Sequence, residues 1–205
     1  MIPVLISQQS NRALHEEQHD CLDQRWYELA LKAGILLIPV PNHPELIEPL
    51  WLSTGCQGVI LSGGGEFSHS PDDRRSRCEE LLVALANKHK TPILGICRGM
   101  QVLLQLAGEP LVKVSGHVQR SMTISVNNQP TELNSYHNLA TYQAPSPYRV
   151  WAQAQDGVVK AIEHPENKQV GIMWHPERMV PFDSANVQFL HRLFVTQEYP
   201  CAHLF

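Results

Sequence analysis

The sequence predicts a three-layer, doubly wound α/β protein with a mostly parallel central sheet. Short, continuously apolar segments alternate with segments of helical periodicity, which is the pattern of a parallel sheet covered on both faces. From Leu111 to Met173 the pattern changes to shorter and more polar runs, which predict a small added antiparallel sheet. The 205 residues contain no internal repeat and no long linker, so we expect a single domain over residues 1–205.

The parallel half of the sheet is predicted from four short apolar segments that are bounded by glycine, proline or polar residues. These strands are expected at Pro3–Ser7, Gly34–Val40, Gly58–Leu61 and Thr91–Cys97. Each is too short and too apolar to read as an exposed helix, so we place them in the interior of the sheet.

The helices are predicted where apolar residues recur at a spacing of three and four. They are expected at Cys21–Gly34, Glu45–Ser53, Arg77–His89, Arg98–Ala107 and Ser184–Gln197. Gly34 is suited to ending the first helix, because glycine readily adopts the left-handed conformation found there. Ser184 is the expected N-cap of the last helix.

Composition excludes several classes of function. Hydrophobic residues make up 43% of the chain and charged residues 18%, a balance that supports a folded core and excludes a disordered chain. A net charge of -4 offers no basic surface for nucleic acid. No apolar run reaches the roughly 18 to 20 residues of a membrane span, and the first residues lack the features of a signal peptide. We therefore expect a cytoplasmic protein that binds neither nucleic acid nor membrane.

The cysteines and histidines predict no disulfide framework and no metal site. The cysteines are Cys21, Cys56, Cys78, Cys97 and Cys201, an odd number at wide spacing with no C-x-x-C pair. The histidines show no spacing typical of metal ligands. We therefore expect neither a metal nor an organic cofactor, and we interpret most of the cysteines as small buried hydrophobic residues.

Cys97 requires a different interpretation. It lies between a predicted buried strand and a predicted helix, with Gly95 and Gly99 two residues away on either side. This is the pattern of a nucleophile elbow, in which a sharp turn needs small neighbours and exposes the nucleophile above the sheet. The N-terminus of the following helix favours the thiolate. The alternative is a buried structural cysteine with incidental glycines.

A second motif supplies a candidate base. An apolar run ends in His175-Pro176-Glu177. Pro176 favours an extended backbone at His175, and residues i and i+2 of an extended segment project to the same side. Glu177 can therefore hold one ring nitrogen of His175 while the other nitrogen faces a thiol. The tripeptide alone also occurs in surface turns, but together with the elbow it indicates a catalytic triad.

A third motif, Ser62–Glu66, follows the third predicted strand and reads S-G-G-G-E. Its glycines expose backbone N–H groups at the carboxyl end of the sheet, where the sites of open α/β proteins lie. One of these groups and the N–H of Arg98 are candidates for an oxyanion hole. The alternatives are a flexible loop or a phosphate cradle, although the sequence contains neither a P-loop nor a G-x-G-x-x-G motif here.

The order S-G-G-G-E, G-I-C-R-G-M-Q, N-S-Y-H-N and W-H-P-E, spread over nearly the whole chain, resembles class I glutamine amidotransferases. The resemblance implies the flavodoxin-like fold of that family. It implies Cys97 as the nucleophile, His175 as general base and acid, and Glu177 as the residue that orients the histidine. Gly64 and Arg98 become the expected oxyanion donors. The donor from the loop is Gly64 or a glycine one position away from it.

The same resemblance implies residues that hold the glutamyl part of a substrate. Gln101 is the first, because it lies one helical turn from Cys97, and its alternative is an ordinary polar helix residue. The complete predicted set is Gly65, Gln101, Asn134, Ser135, Tyr136 and His137. Arg25 and the side chain of Arg98 are further candidates, for a phosphate in the leaving group, because a guanidinium suits bidentate phosphate recognition.

Within the family, the details are similar to free-standing γ-glutamyl hydrolases of the peptidase C26 type. Arg98 after the nucleophile resembles hydrolases of γ-glutamyl-γ-aminobutyrate. The segments Cys21–Trp26, Asn134–Asn138 and GIMWHPER are more similar to hydrolases of γ-glutamyl-CDP-amidate, which serve capsule biosynthesis. The resemblance thus implies a small-molecule γ-glutamyl substrate, a glutamyl thioester intermediate and the release of glutamate.

Three other functions stay open at this point. The chain is a hydrolase of γ-glutamyl-γ-aminobutyrate type, or a glutaminase subunit that supplies ammonia to a synthase partner, or a non-catalytic binding protein on the same fold. A cysteine protease is a more remote option, because the elbow and the glycine loop suit a small γ-glutamyl pocket. A homodimer is an open option that the sequence does not decide.

Overall fold

A computed structural model describes residues 1–12 and 14–198 of the chain. Within these residues, the α-helices are α1 (Arg25–Ala33), α2 (Ile47–Thr54), α3 (Arg74–His89), α4 (Arg98–Leu106) and α5 (Ser184–His191). The strands are β1 (Ile2–Ser7), β2 (Gln9–Arg12), β3 (Gln18–Cys21), β4 (Ile35–Val40), β5 (Gly58–Leu61), β6 (Ile93–Ile96), β7 (Val112–Lys113), β8 (Val118–Val126), β9 (Gln129–Tyr136), β10 (Leu139–Ala140), β11 (Arg149–Ala154), β12 (Val159–His164) and β13 (Gln169–Ile172). None of the helices described combines the length and the apolar character needed to cross a bilayer.

The central element of the described chain is a nine-stranded sheet with the order β4-β1-β5-β6-β13-β12-β11-β8-β9. From β4 to β13 neighbouring strands run parallel, and from β13 to β9 they run antiparallel. Two small antiparallel sheets, β2–β3 and β7–β10, lie beside it. The predicted α/β fold class is confirmed.

The region 111–173 contains the predicted small antiparallel sheet, and its other strands extend the central sheet. β12 shows how a polar strand lies inside the central sheet, because all of its residues are buried although it contains Lys160 and Glu163. Lys160 is accommodated by hydrogen bonds from its ammonium to the hydroxyl of Ser135 and the ring of His137. A strand with charged residues can therefore lie inside a sheet when each charge has partners. The separate sheet is small and consists of β7 and β10.

Helices cover both faces of the parallel half. Side chains alternate along β1, so that Val4 and Ile6 lie in one core cluster and Leu5 in the other. The first cluster packs against α1 and α5, and the second packs against α2 and α3. The helical residues in these contacts are Trp26, Leu29 and Phe189 on the first face, and Trp51, Cys78 and Leu82 on the second.

The largest local difference from the predicted elements lies near the start of the chain. Helix α1 begins at Arg25 and not at Cys21, because residues Gln18–Cys21 form β3 and pair with β2. Most of this hairpin is exposed on both faces. A hairpin with two polar faces has no apolar alternation in its sequence, so hydrophobic patterning does not reveal it.

Helix α5 begins at the predicted residue but has a different cap. The N-cap is Asp183, whose carboxylate accepts a hydrogen bond from the backbone N–H of Ala185 at 3.0 Å, so the prediction of Ser184 was wrong. In the first turn, Asn186 accepts a hydrogen bond from the indole N–H of buried Trp174 at 3.0 Å. Beyond His191 the chain continues as a short π-helix over Arg192–Thr196.

We expect Asp183→Ala to lower the free energy of unfolding by about 1 kcal/mol, because the N-terminus of α5 loses its cap. Ser184→Ala is the matched control and should change the free energy by only a few tenths of a kcal/mol. Urea unfolding followed by tryptophan fluorescence measures both variants. Equal losses from the two substitutions would show that Asp183 does not cap the helix.

Candidate active site

Three neighbouring strands bring the three sequence motifs to one edge of the sheet. β5, β6 and β13 are adjacent and parallel, so their carboxyl ends lie side by side. The loop Ser62–Glu66 follows β5, Cys97 follows β6, and His175 lies shortly after β13. This is the edge at which open α/β sheets place their sites.

Cys97 occupies a sharp turn between β6 and α4. Its backbone has φ 51° and ψ -101°, a conformation that costs energy for a residue with a side chain. The turn is held by a 2.7 Å hydrogen bond from the N–H of Cys97 to the carbonyl of Ile172. A Cβ on Gly95 would lie 2.5 Å from the backbone of Gly99, and a Cβ on Gly99 would overlap the carbonyl oxygen of Leu61. The glycines of the predicted elbow are therefore required by close backbone packing.

His175 and Glu177 form a buried pair. The backbone of His175 is extended, as predicted, and its Nδ1 lies 2.7 Å from Oε1 of Glu177. The other ring nitrogen, Nε2, makes no hydrogen bond of normal geometry to a described residue. A Cβ on Gly63 would lie 2.6 Å from Cε1 of His175 and 3.6 Å from Cβ of Cys97. Histidine and cysteine therefore both pack against this glycine.

The charge of His175 is set by its neighbours Cys97 and Glu177. Burial lowers its pKa, but interaction with the sulfur of Cys97 and hydrogen bonding to Glu177, together with the charges of both, raise the pKa to about 9. The imidazole is therefore protonated at pH 7. A protonated imidazole beside a cysteine is the arrangement that stabilises a thiolate.

Arg75 fixes the orientation of the glycine loop. Its guanidinium donates hydrogen bonds to the carbonyl oxygens of Ser62 at 2.8 Å, Gly63 at 3.1 Å and Gly64 at 2.6 Å. In a trans peptide the N–H points away from the preceding carbonyl, so the N–H groups that follow these carbonyls point away from Arg75. Those of Gly64 and Gly65 belong to residues that line the cavity at the elbow. The predicted Gly64 donor is compatible with this geometry and stays a prediction.

Glu79 connects the glycine loop to the elbow. Its buried carboxylate accepts hydrogen bonds from Arg75 at 3.1 Å, from Ser7 at 2.9 Å and from Arg98, the residue after Cys97. Sequence reasoning missed this cluster because Arg75 and Glu79 look like an ordinary exposed i, i+4 pair on a helix. The only sequence signal is that their helix is the next one after the glycine loop, with residues 67–73 between them.

The guanidinium groups of Arg25 and Arg98 do not face the cavity, so their predicted contact with phosphate was wrong. Arg98 is 1% exposed, and its side chain pairs with Glu79. Arg25 donates hydrogen bonds to the backbone carbonyls of Glu177 at 2.7 Å and Met179 at 2.5 Å. Both arginines donate hydrogen bonds to acceptors within the protein, on the side of the site away from the cavity. The backbone N–H of Arg98 is unaffected by this and remains a predicted oxyanion donor.

A cavity of about 260 Å³, here called the catalytic cavity, opens at Cys97 and His175. The sequence-predicted residues that line it are Gly64, Gly65, Gln101, Tyr136 and His137. Gln101 also donates a 2.8 Å hydrogen bond to the carbonyl of Leu139, which fixes its side chain. Glu66 and Arg178 line the same cavity and were not predicted.

Asn134 and Ser135 lie behind the cavity and not on its lining. Asn134 makes two hydrogen bonds to the backbone of His175, donating to its carbonyl at 2.8 Å and accepting from its N–H at 2.7 Å. Ser135 donates to the carbonyl of His117 at 2.8 Å and accepts from Lys160 at 2.9 Å. The polar groups of these predicted substrate ligands are therefore used within the protein, and Asn134 positions His175.

His137 lines the cavity as a neutral ring. Its Nε2 lies 2.7 Å from the ammonium of Lys160, and its Nδ1 lies 3.1 Å from the carbonyl of Leu139. An ammonium only donates and a carbonyl only accepts, so Nε2 is the acceptor and Nδ1 carries the proton. Burial, and then the charge of Lys160, lowers the pKa of His137 to about 3. His137 therefore shapes the cavity and has no free ring nitrogen for acid–base chemistry.

The remaining thiols lack the surroundings of Cys97. Cys21, Cys56 and Cys78 are free thiols, and Cys201 lies outside the described residues. Burial raises the pKa of Cys78 to about 12, as expected for a structural cysteine. Among residues 1–12 and 14–198, no group of three or more His, Cys, Asp or Glu side chains is arranged to hold a metal ion.

Comparisons with known proteins identify similar sequences that cover most of the chain. The sequence pattern of the family described as glutamine amidotransferase class-I matches residues 19–190. A γ-glutamyl-CDP-amidate hydrolase from Campylobacter jejuni is 28% identical over 185 residues, which cover 88% of this chain and 90% of that protein. One subunit of a glutamine-hydrolysing GMP synthase from Methanospirillum hungatei is 27% identical over 172 residues, which cover 76% of this chain and 77% of that subunit.

A solved structure supports the fold. A protein from Thermoplasma acidophilum, described as of GMP synthase subunit type, superposes with a TM-score of 0.70 at 21% sequence identity. The alignment covers 99% of this chain and 95% of that one. This likeness establishes a shared fold and confirms the predicted architecture.

We expect Glu79→Gln to lower the free energy of unfolding by about 3 kcal/mol, because two buried arginines lose their shared counter-charge. The matched control is Glu80→Gln, since the side chain of Glu80 is 38% exposed and only 3.6 Å from the exposed ring of His69. That variant should lose less than about 1 kcal/mol. Guanidinium chloride unfolding measures both. Equal losses would show that the buried cluster does not stabilise the site.

The pKa of His175 provides a direct test of the triad electrostatics. We expect its imidazole to titrate at a pH of about 9, and at a lower pH in Cys97→Ala and in Glu177→Gln, because each substitution removes a group that raises the pKa. NMR of protein labelled at the histidine Cε1 position follows the titration. A wild-type midpoint near 6.5, the ordinary histidine value, would contradict the assignment.

Proposed function

The chain belongs to the class I glutamine amidotransferase family, and from this premise we propose that it hydrolyses γ-glutamyl-CDP-amidate through Cys97. The observation that carries the chemistry is the meeting of Cys97, the His175–Glu177 pair and the glycine loop at one cavity. The relative from Campylobacter jejuni, similar over 88% of the chain, supports the choice of leaving group. Capsule biosynthesis is the cellular role that this substrate implies.

In the first half of the proposed reaction, the thiolate of Cys97 attacks the γ-carbonyl carbon and forms a C–S bond. The oxyanion accepts hydrogen bonds from the N–H groups of Gly64 and Arg98, each worth about 3 to 4 kcal/mol in a typical hole. His175 gives its Nε2 proton to the departing nitrogen as the C–N bond breaks. The products of this half are a glutamyl thioester and the free amidate.

In the second half, His175 is neutral and takes a proton from water as the water oxygen attacks the thioester. The C–S bond breaks, glutamate is released and Cys97 returns to the thiolate. Overall, one water molecule supplies a proton to the nitrogen and a hydroxyl to the glutamyl carbon. Such acid–base catalysis contributes about 10² to 10⁴-fold, and Glu177 keeps His175 oriented in both halves.

A second candidate function is a glutaminase that supplies ammonia to a synthase partner. It is favoured by the likeness to the GMP synthase subunit from Methanospirillum hungatei, 77% of which is covered. The chemistry at Cys97 would be the same, with glutamine as substrate. Hydrolysis of γ-glutamyl-γ-aminobutyrate is the nearer alternative, since only the leaving group differs. The volume of about 260 Å³ suits a glutamyl group better than the extended peptide of a protease substrate.

The decisive measurement is glutamate release from γ-glutamyl-CDP-amidate, γ-glutamyl-γ-aminobutyrate and glutamine. We expect kcat/KM to be at least about tenfold higher for the first, and Cys97→Ala to reduce it by at least about 10³-fold, as for other nucleophiles of catalytic triads. Cys56→Ala is the matched control, because Cys56 is a partly buried thiol that does not line the catalytic cavity. It should retain the wild-type rate.

Each other outcome has a defined meaning. A preference for γ-glutamyl-γ-aminobutyrate would support the proposed mechanism but show that the proposed substrate is wrong. Turnover of glutamine that rises when a synthase chain is added would favour the second candidate. Full activity in Cys97→Ala would overturn the proposed chemistry altogether.

A further inference from the structure

Arg178 lies at the boundary of two cavities. It ends the 3₁₀ turn Pro176–Arg178, which begins directly after His175. The residue lines the catalytic cavity and also a second cavity of about 350 Å³, whose lining includes Gly63 and Trp26. The side chain is 38% exposed. Its side chain is therefore accessible between the two cavities, and Arg178 is the lining residue that they share.

Protein contacts orient the Arg178 side chain without using its hydrogen-bond donors. Its Nε lies 3.6 Å from Oε1 of Glu177, and its central guanidinium carbon lies 5.2 Å from the centroid of the Tyr136 ring. The guanidinium makes no hydrogen bond to another described residue. Arg25 and Arg98, by contrast, each donate two or more hydrogen bonds to protein acceptors. Arg178 thus has donors free to bind an oxyanion in bidentate fashion.

The position of His175 indicates which part of a substrate meets Arg178. The histidine must reach the departing nitrogen to protonate it, so the leaving group lies on the histidine side of Cys97. Arg178 follows His175 by a single turn on that side. The second cavity is lined by Gly63, which packs against the ring of His175. A leaving group that extends from Cys97 past His175 therefore reaches Arg178 and then the second cavity.

We propose that Arg178 binds the phosphoryl oxygens of the leaving group and so selects γ-glutamyl substrates whose leaving group carries phosphate. The second cavity then accommodates the nucleoside part. This inference rests on the proposed hydrolysis of a γ-glutamyl amide. Three carboxylates also line the two cavities. Glu66 and Asp23 are exposed, so their repulsion is screened by water. Glu177 is buried, and its charge is balanced by His175 at 2.7 Å as well as by Arg178 at 3.6 Å.

The competing role for Arg178 is to bind the α-carboxylate, which every γ-glutamyl substrate shares. Two substrates with the same glutamyl part separate these roles: γ-glutamyl-CDP-amidate and the neutral amide γ-glutamyl-p-nitroanilide. We expect Arg178→Gln to lower kcat/KM for the first by about 10- to 100-fold, mainly through KM, as for loss of charge-assisted hydrogen bonds. The loss for the second should be below about threefold. Arg178→Lys should lie between wild type and Arg178→Gln for the phosphoryl substrate, because lysine keeps the charge without the bidentate geometry.

The matched control is Arg120→Gln, an exposed arginine on β8 that lines neither cavity. It should preserve both activities. Equal losses on both substrates in Arg178→Gln would assign Arg178 to the shared glutamyl part and overturn the inference. The absence of any loss would also overturn it.

A binding measurement separates this inference from the proposed function, because it needs no turnover. Cytidine 5′-diphosphate should bind the wild-type protein in isothermal titration calorimetry, with at least tenfold weaker binding in Arg178→Gln than in Arg120→Gln. If this difference is found while no glutamate is released, the phosphoryl site stands and the proposed hydrolysis fails. If glutamate is released but the diphosphate binds equally to both variants or does not bind, the hydrolysis stands and the Arg178 inference fails.

Discussion

The buried carboxylate of Glu79 is the constraint on which the geometry of the site depends. It accepts hydrogen bonds from Arg75, which holds the carbonyls of the glycine loop, and from Arg98, which begins the helix after Cys97. Burying charges is costly unless every group is paired, so the loop and the elbow cannot move apart without exposing or unpairing one of them. Their N–H groups are therefore held in fixed positions before a substrate arrives, which is the condition for effective stabilisation of an oxyanion.

The antiparallel half of the sheet helps to fix the position of His175. Asn134, on β9, makes hydrogen bonds to both the N–H and the carbonyl of His175. Arg25, at the start of α1, makes hydrogen bonds to the carbonyls of Glu177 and Met179. The segment that carries the histidine and its carboxylate is thus fixed from two directions. The position of Cys97 depends on the parallel half of the sheet, and the position of His175 depends on contacts from both halves.

The sequence was informative where local patterns determine the structure. Continuous apolar strands identified the parallel half, and the glycines around Cys97 identified the elbow, because both follow from steric and hydrophobic rules over a few residues. The sequence was uninformative where the burial of a charged side chain depends on partners that are distant in the chain. Glu79 and Lys160 look like surface charges until their partners are known, and the direction of an arginine side chain is not encoded locally. Arg25 and Arg98 were therefore predicted to meet phosphate, whereas the arginine that lines the cavity is Arg178.

Two histidines line the same cavity with opposite perturbations, and this contrast bears on the acid–base assignment. His175 lies beside Cys97 and Glu177, and its pKa is raised to about 9. His137 is buried beside the ammonium of Lys160, and its pKa is lowered to about 3. Groups whose environments push their pKa values apart take different roles. At neutral pH His175 is protonated, whereas His137 is neutral and both of its ring nitrogens are hydrogen-bonded. In the proposed reaction, electrostatics therefore favours His175 over His137 as the acid–base residue, which is also the residue that the His-Pro-Glu motif indicated.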